Sequence, residues 1–150
     1  MRISHRVLKE LRRLLGPENI LTDEISLALN GYDCSQSRHR PDAVATVHNT
    51  ALLEPLVCLL AREKIPFVPR AAATNHAGSC AAVQGGVVLN LNPLDQIYQI
   101  DTTCGFADMA PCTVTGDLQN ALAPLGFFYA PDPASEKVST LSGNLAQNAS

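Results

Sequence analysis

Pro69-Arg-Ala-Ala-Ala-Thr-Asn-His-Ala-Gly78, entered from the apolar run Ile65-Pro-Phe-Val68, is the stretch on which the fold turns. Ile65 to Pro69 reads as a strand, after which side chains shrink to methyl groups for three residues. Small side chains let another molecule approach the main chain. Unpaired N–H groups leaving a strand end can point at an anion, with Arg70, Thr74 and Asn75 adding charge and hydrogen bonds. A diphosphate is the natural guest. Taken by itself, the same loop also fits an ordinary connection in which the alanines pack and Arg70 makes a surface ion pair.

Working outward, Ala43 to Val47 is an earlier strand, announced by Arg40-Pro41-Asp42, and residues 51 to 63 suit a helix with Pro55 confined to its first turn. Strand, helix, strand with short connections is the pattern of a parallel βαβ unit, and the small-residue loop falls at the carboxyl end of its second strand, where α/β sheets gather ligands. Further upstream, Val7, Leu8, Leu11, Leu14 and Leu15 form one face of an amphipathic helix, with Ser4 as N-cap and Gly16-Pro17 as the stop. Downstream of the loop, Gly85-Gly86 leads into a strand at Val87 to Leu91, and Ile97 to Asp101 and Phe106 to Ala110 read as shorter strands with no helix between them. A helix begins at Thr115 or Asp117 and runs through Leu125 to Gly126, and Phe127-Phe128-Tyr129 resembles a brief strand. Parallel units followed by consecutive strands predict an α+β fold.

A second unusual segment follows, Tyr129-Ala-Pro-Asp-Pro-Ala-Ser135 and then Ser139-Thr-Leu-Ser-Gly-Asn144. Pro131 and Pro133 fix two φ angles around Asp132 and hold the turn rigid before any ligand arrives. The aromatic trio at 127–129 suits core and edge packing better than a stacking platform.

Composition sets the bounds. The chain has 150 residues, 46% of them hydrophobic, enough to bury a core. Eleven basic against fourteen acidic residues give a net charge of −3, without the basic cluster that nucleic-acid binding needs. Neither a signal-peptide pattern nor a membrane-length apolar run is present, so a cytoplasmic location is expected, with a peripheral membrane partner left open. Five scattered cysteines without a C-x-x-C pair and four histidines without ligand spacing argue against structural disulfides and a metal site, and the thiols are expected to be buried or incidental.

Five pieces in order resemble the N-terminal FAD-binding domain of the flavin oxidases and dehydrogenases related to vanillyl-alcohol oxidase and p-cresol methylhydroxylase, above all the branch of the glycolate oxidase large subunit and D-lactate dehydrogenase. They are Gly31-Tyr32-Asp33 with Arg40-Pro41-Asp42-Ala43-Val44, Ile65 to Arg70 with its loop, Gly85 to Leu89, Tyr129 to Ser135, and Ser139 to Asn144. The resemblance implies a two-part FAD-binding domain, a small parallel βαβ subdomain followed by a mainly antiparallel one, with residues 1–150 as its N-terminal part and the substrate-binding cap domain absent. It implies that Arg70, Ala71, Ala72, Ala73, Thr74, Asn75 and Gly78 wrap the FAD diphosphate. Pro131, Asp132, Ser135, Thr140, Gly143 and Asn144 then lie along the cofactor's other contacts. Relatives that tether FAD covalently carry histidine at the position of Thr74, and His76 stands two residues later, so non-covalent FAD is expected.

The function so implied is oxidation of a 2-hydroxy acid such as glycolate or D-lactate in the full-length enzyme, with electrons leaving to an acceptor that could be a partner subunit. No catalytic base and no metal ligand can be assigned within these residues. The alternative is a non-catalytic remnant or interaction module that no longer binds FAD. That alternative draws on five positions where the family commonly has glycine and this chain has Ala71, Ala73, Ser79, Cys112 and Ser142. Each costs on the order of 1 kcal/mol wherever the backbone needs positive φ.

Overall fold

A computed structural model describes residues 3–35 and 37–149; Met1, Arg2, Gln36 and Ser150 lie outside the described residues. The chain forms two compact units, residues 1–93 and 94–150.

In the first unit, helix α1 (His5–Leu15) is capped as the sequence predicts. The Ser4 hydroxyl accepts from the Val7 amide at 3.3 Å, and Gly16 ends the helix at φ +93°. Its apolar face buries Val7, Leu11 and Leu15. A short strand β1 (Ile20–Leu21) and a six-residue helix α2 (Glu24–Leu29), N-capped by Asp23, follow. Strand β2 (Ala43–Thr46) leads through a 3-10 turn at Thr50–Leu52 into helix α3 (Leu53–Arg62), which keeps Pro55 in its first turn. Strands β3 (Phe67–Arg70) and β4 (Val87–Asn90) complete a four-stranded sheet of order β1-β2-β4-β3. β2, β4 and β3 run parallel, and β1 pairs antiparallel with β2.

The strand after α3 starts at Phe67 rather than Ile65, and β4 lies between it and β2. The central strand is the one with an unbroken apolar run: Val87, Val88 and Leu89 are buried, as are Ala43, Val44 and Ala45 of β2. Pro69, which has no N–H for a second neighbour, sits in the edge strand β3. The approach of β4 to the chain before β3 is so close at Gly86, φ +80°, that a Cβ there would lie 2.0 Å from the Pro66 carbonyl oxygen.

The second unit begins with the hairpin β5 (Ile97–Asp101) and β6 (Phe106–Met109), antiparallel, with Asp101 opposite Phe106. The Asp101 carboxylate accepts from the Thr103 and Cys104 amides at 2.8 and 2.9 Å and so fixes the turn. Helix α4 (Thr115–Leu122) continues as a 3-10 turn to Leu125 and stops at Gly126, φ +77°. Leu118 and Leu122 of α4 pack with Leu141 of a second helix, α5 (Leu141–Gln147), and with Ile100, Ala107, Met109 and Tyr129. Residues 127–129 are not a strand. The Gln119 side chain takes the place of a neighbouring strand there, donating to the Tyr129 carbonyl at 2.6 Å and accepting from its amide at 3.0 Å. The mixed parallel and antiparallel architecture is the α+β fold predicted.

Candidate functional site

The loop leaving β3 divides into two halves. In the first, the amides of Ala71, Ala72, Ala73, Thr74, Asn75 and His76 donate to no protein acceptor among the described residues. In the second, the protein satisfies its own amides apart from that of Gly78: Ala77 and Ser79 donate to the Asn75 side-chain oxygen, each at 3.1 Å, Cys80 to the Asp33 carboxylate at 3.4 Å, and Ala81 to the Gly78 carbonyl at 3.0 Å. Six successive unpaired donors behind three methyl side chains are the chemistry that an anion such as a diphosphate would require. Gly78 adds room, since at φ +75° its only close neighbour would be the Ser35 hydroxyl at 3.8 Å.

Of the five positions where glycine is common, one takes up left-handed backbone. Ala73 has φ +56°, while Ala71, Ser79, Cys112 and Ser142 do not have positive φ. The expected strain is therefore confined to the middle of the unpaired run.

Arg70 and Asn75 are engaged in holding the loop. The Arg70 guanidinium donates to the Tyr32 carbonyl and, at 3.4 Å, to the Leu29 carbonyl, and lies 5.8 Å from the centroid of the Tyr32 ring. The Asn75 side-chain oxygen also takes the Ser79 hydroxyl at 3.3 Å, its amide nitrogen reaches the Cys80 sulfur at 3.3 Å, and its own carbonyl accepts from the Cys34 amide at 3.1 Å.

Sequence reasoning attached no role to Asp33, which is 6% exposed. It accepts from the Ser35 amide at 2.9 Å as well as from Cys80. Burial pushes its carboxyl up, but hydrogen bonds from Ser35, Cys80 and Asn75 outweigh that and hold it below its ordinary value. Cys80 moves the other way: burial pushes its thiol up, only partly countered by the charge of Arg70.

The remaining predicted cofactor contacts, Pro131, Asp132, Ser135, Thr140, Gly143 and Asn144, belong to the second unit. Asp132 is exposed and its carboxylate has no partner among the described residues. The Pro133 carbonyl accepts from Glu136 at 2.8 Å, and the Ser135 carbonyl from Val138 and Ser139 at 2.8 and 2.7 Å, so the proline turn runs into a compact coil. Thr140 is the N-cap of α5, accepting from the Gly143 amide at 3.3 Å. Asn144 is buried and donates to the Thr115 hydroxyl at 2.8 Å, which also meets the Ser139 hydroxyl at 3.0 Å. An apolar cleft of about 540 Å³ in this unit is lined by Ile100, Phe106, Met109, Leu118, Phe128 and Tyr129. Phe127 and Phe128 are exposed beside it rather than core.

Among the described residues no group of three or more His, Cys, Asp or Glu side chains could hold a metal ion. The five thiols are unpaired; Cys112 is buried, Cys80 half-buried, and Cys34, Cys58 and Cys104 are exposed. No helix among the described residues is long and apolar enough to cross a membrane.

Glycolate oxidase subunit GlcD of Bacillus subtilis is 33% identical over 147 residues, which is 97% of this chain and 31% of that protein. D-2-hydroxyglutarate dehydrogenase of Stutzerimonas stutzeri is 28% identical over 146 residues, 95% of this chain and 31% of that one. The chain thus spans about a third of the length of these relatives. Among solved structures, p-cresol methylhydroxylase with substrate bound superposes with a TM-score of 0.81 at 23% identity, over 93% of this chain and 28% of that one. An alkyldihydroxyacetonephosphate synthase reaches 0.86 at 20% identity, over 97% of this chain and 32% of that one. Residues 41–150 match the model of the FAD binding domain, and with the unpaired amide run after β3 lying inside that match, the chain belongs to the FAD binding domain family, whose cofactor is FAD.

Proposed function

We propose that this chain is the FAD-binding part of a flavin-dependent oxidoreductase that oxidises a 2-hydroxy acid such as glycolate or D-lactate. The observation that carries the binding half is the run of six unpaired amides from Ala71 to His76. Those donors, with Gly78, receive the diphosphate, while Arg70 and Asn75 keep the loop in the shape that presents them. Ala71, Ala72 and Ala73 matter by being small. Pro131, Asp132, Ser135, Thr140, Gly143 and Asn144 serve the rest of the cofactor, Thr140 and Asn144 through the placement of α5. Bound FAD supplies the two-electron acceptor for the substrate α-carbon.

FAD is held without a covalent bond, because threonine rather than histidine stands at position 74. The substrate class rests on the relatives, one named a glycolate oxidase subunit and another a D-2-hydroxyglutarate dehydrogenase. The word subunit in the first name supports a partner subunit, which would be the electron acceptor.

The test is reconstitution. Titrated with FAD in a calorimeter, the purified protein gives a saturable heat at one equivalent, and acid precipitation afterwards releases all the flavin to the supernatant. A protein that evolves no heat and stays colourless overturns the binding assignment. Flavin that remains in the pellet overturns the non-covalent one.

A further inference from the structure

We propose that Asp33 is a positioning residue for the diphosphate seat, so that the Gly31–Ser35 turn, nearly forty residues upstream, sets which loop amides face the cofactor. The proposal rests on the reading of the 71–76 loop as that seat. Asp33 is a buried carboxylate that makes no ion pair among the described residues. Such a group is costly to bury unless hydrogen bonds hold its charge. Its partners come from two segments: the Ser35 amide at 2.9 Å within its own turn, and the Cys80 amide at 3.4 Å at the far end of the loop.

Two more bonds tie the same turn to the same loop. The Cys34 amide donates to the Asn75 carbonyl at 3.1 Å, and Arg70, at the near end, donates to the Tyr32 carbonyl. The turn therefore grips the loop at its start, middle and end. The turn itself has little freedom, since a Cβ on Gly31 would lie 2.8 Å from the His39 carbonyl oxygen.

The consequence is a division of labour along the loop. Asp33 and the Asn75 side chain take the amides of Ala77, Ser79 and Cys80, and what is left unpaired is the consecutive set from Ala71 to His76 together with the Gly78 amide. Without the Asp33 carboxylate, the Cys80 amide loses its acceptor and competes for the carbonyls around it, and the far half of the loop has no fixed end. Asp33 does not itself touch the anion. Both its oxygens are occupied by protein amides, and its charge would repel a phosphate that came closer.

The experiment compares wild type, Asp33→Ala and Asp33→Asn by calorimetric titration with FAD and by residue-resolved amide hydrogen exchange on the same samples. Asp33→Ala is expected to weaken FAD about tenfold or more, as the loss of hydrogen bonds to a charged group implies. Exchange should rise at Ser35, Ala77, Ser79 and Cys80 while β2 and β4 stay protected. Asp33→Asn keeps an acceptor for Ser35 and should recover part of the affinity; if Asp33→Ala does not fold, Asp33→Asn against wild type carries the same comparison. Wild-type affinity in a folded Asp33 variant overturns the proposal, as does a rise in exchange spread evenly over the first unit. Wild type that binds no FAD overturns the reading of the seat instead, and the two failures are thereby distinguished.

Discussion

Replacing Ala73 by glycine should stabilise the protein, although it removes a methyl group from a half-buried loop. Ala73 has φ +56°. An L-residue in the left-handed region pays roughly 1–2 kcal/mol for the approach of its Cβ to the following carbonyl. Glycine removes that strain but loses roughly 0.4–1 kcal/mol through its freer unfolded chain. The difference leaves a net gain of about 0–1.6 kcal/mol, centred near about 0.8, and the central value raises Tm by about 2–3 °C for a chain of this length. Ala71→Gly is the matched control, because Ala71 lies in the same loop without positive φ and has only the entropic loss. It should destabilise by roughly 0.4–1 kcal/mol. Urea unfolding of the two variants beside wild type reads both signs in one experiment. A destabilised Ala73→Gly, or two variants that move together, refutes the assignment of strain to position 73.

Gly86→Ala should destabilise by at least about 2 kcal/mol or abolish soluble expression, because the new Cβ meets the Pro66 carbonyl oxygen at 2.0 Å on backbone already at φ +80°. Thr115→Val should cost about 1–3 kcal/mol in urea unfolding, since it leaves the buried Asn144 amide and Ser139 hydroxyl without their shared partner. Asp33 also sets a pH dependence. Its folded value lies below the ordinary 3.8, so the stability it contributes is fully present above that pH and is lost as pH falls through the lower folded value. Protection of the Cys80 amide should therefore hold from neutrality down to about pH 4 and collapse only below it, and Asp33→Asn should abolish that step.

What could be read before the structure was local. Ser4, the Val7 to Leu15 stripe and Gly16 specify α1 through adjacent residues alone, and Gly126 does the same for the end of the helical stretch after Thr115. Strand order is different, because β4 enters between β2 and β3 by pairing Val87 with both Ala43 and Phe67, residues distant along the chain, and a single sequence carries no record of that choice. The helix α2 escaped notice because it buries only Leu27 and leaves Ile25 and Leu29 exposed, so no apolar stripe marks it. In α5 the glycine at 143 masks a helix that Thr140 nevertheless announces as N-cap.

The loop after Val68 was legible as backbone open to a ligand, but the jobs of its polar side chains were not. Arg70 and Asn75 look like ligands in a one-dimensional reading. In three dimensions their hydrogen bonds run to the 29–35 segment and to the loop itself, and it is the main chain of Ala71 to His76 that remains available. Asp33 was invisible for the same reason: a carboxylate in a polar stretch reads as solvated until the Cys80 amide, 47 positions away, is found beside it.

The central claim concerns those main-chain donors, and amide chemical shifts report on them directly. In a titration of isotopically labelled protein with FAD, the account predicts that the resonances of Ala71 to His76 and Gly78 move together and saturate at one equivalent, with downfield shifts as the amides gain acceptors. Saturation of FAD binding with these seven amides unmoved would contradict it.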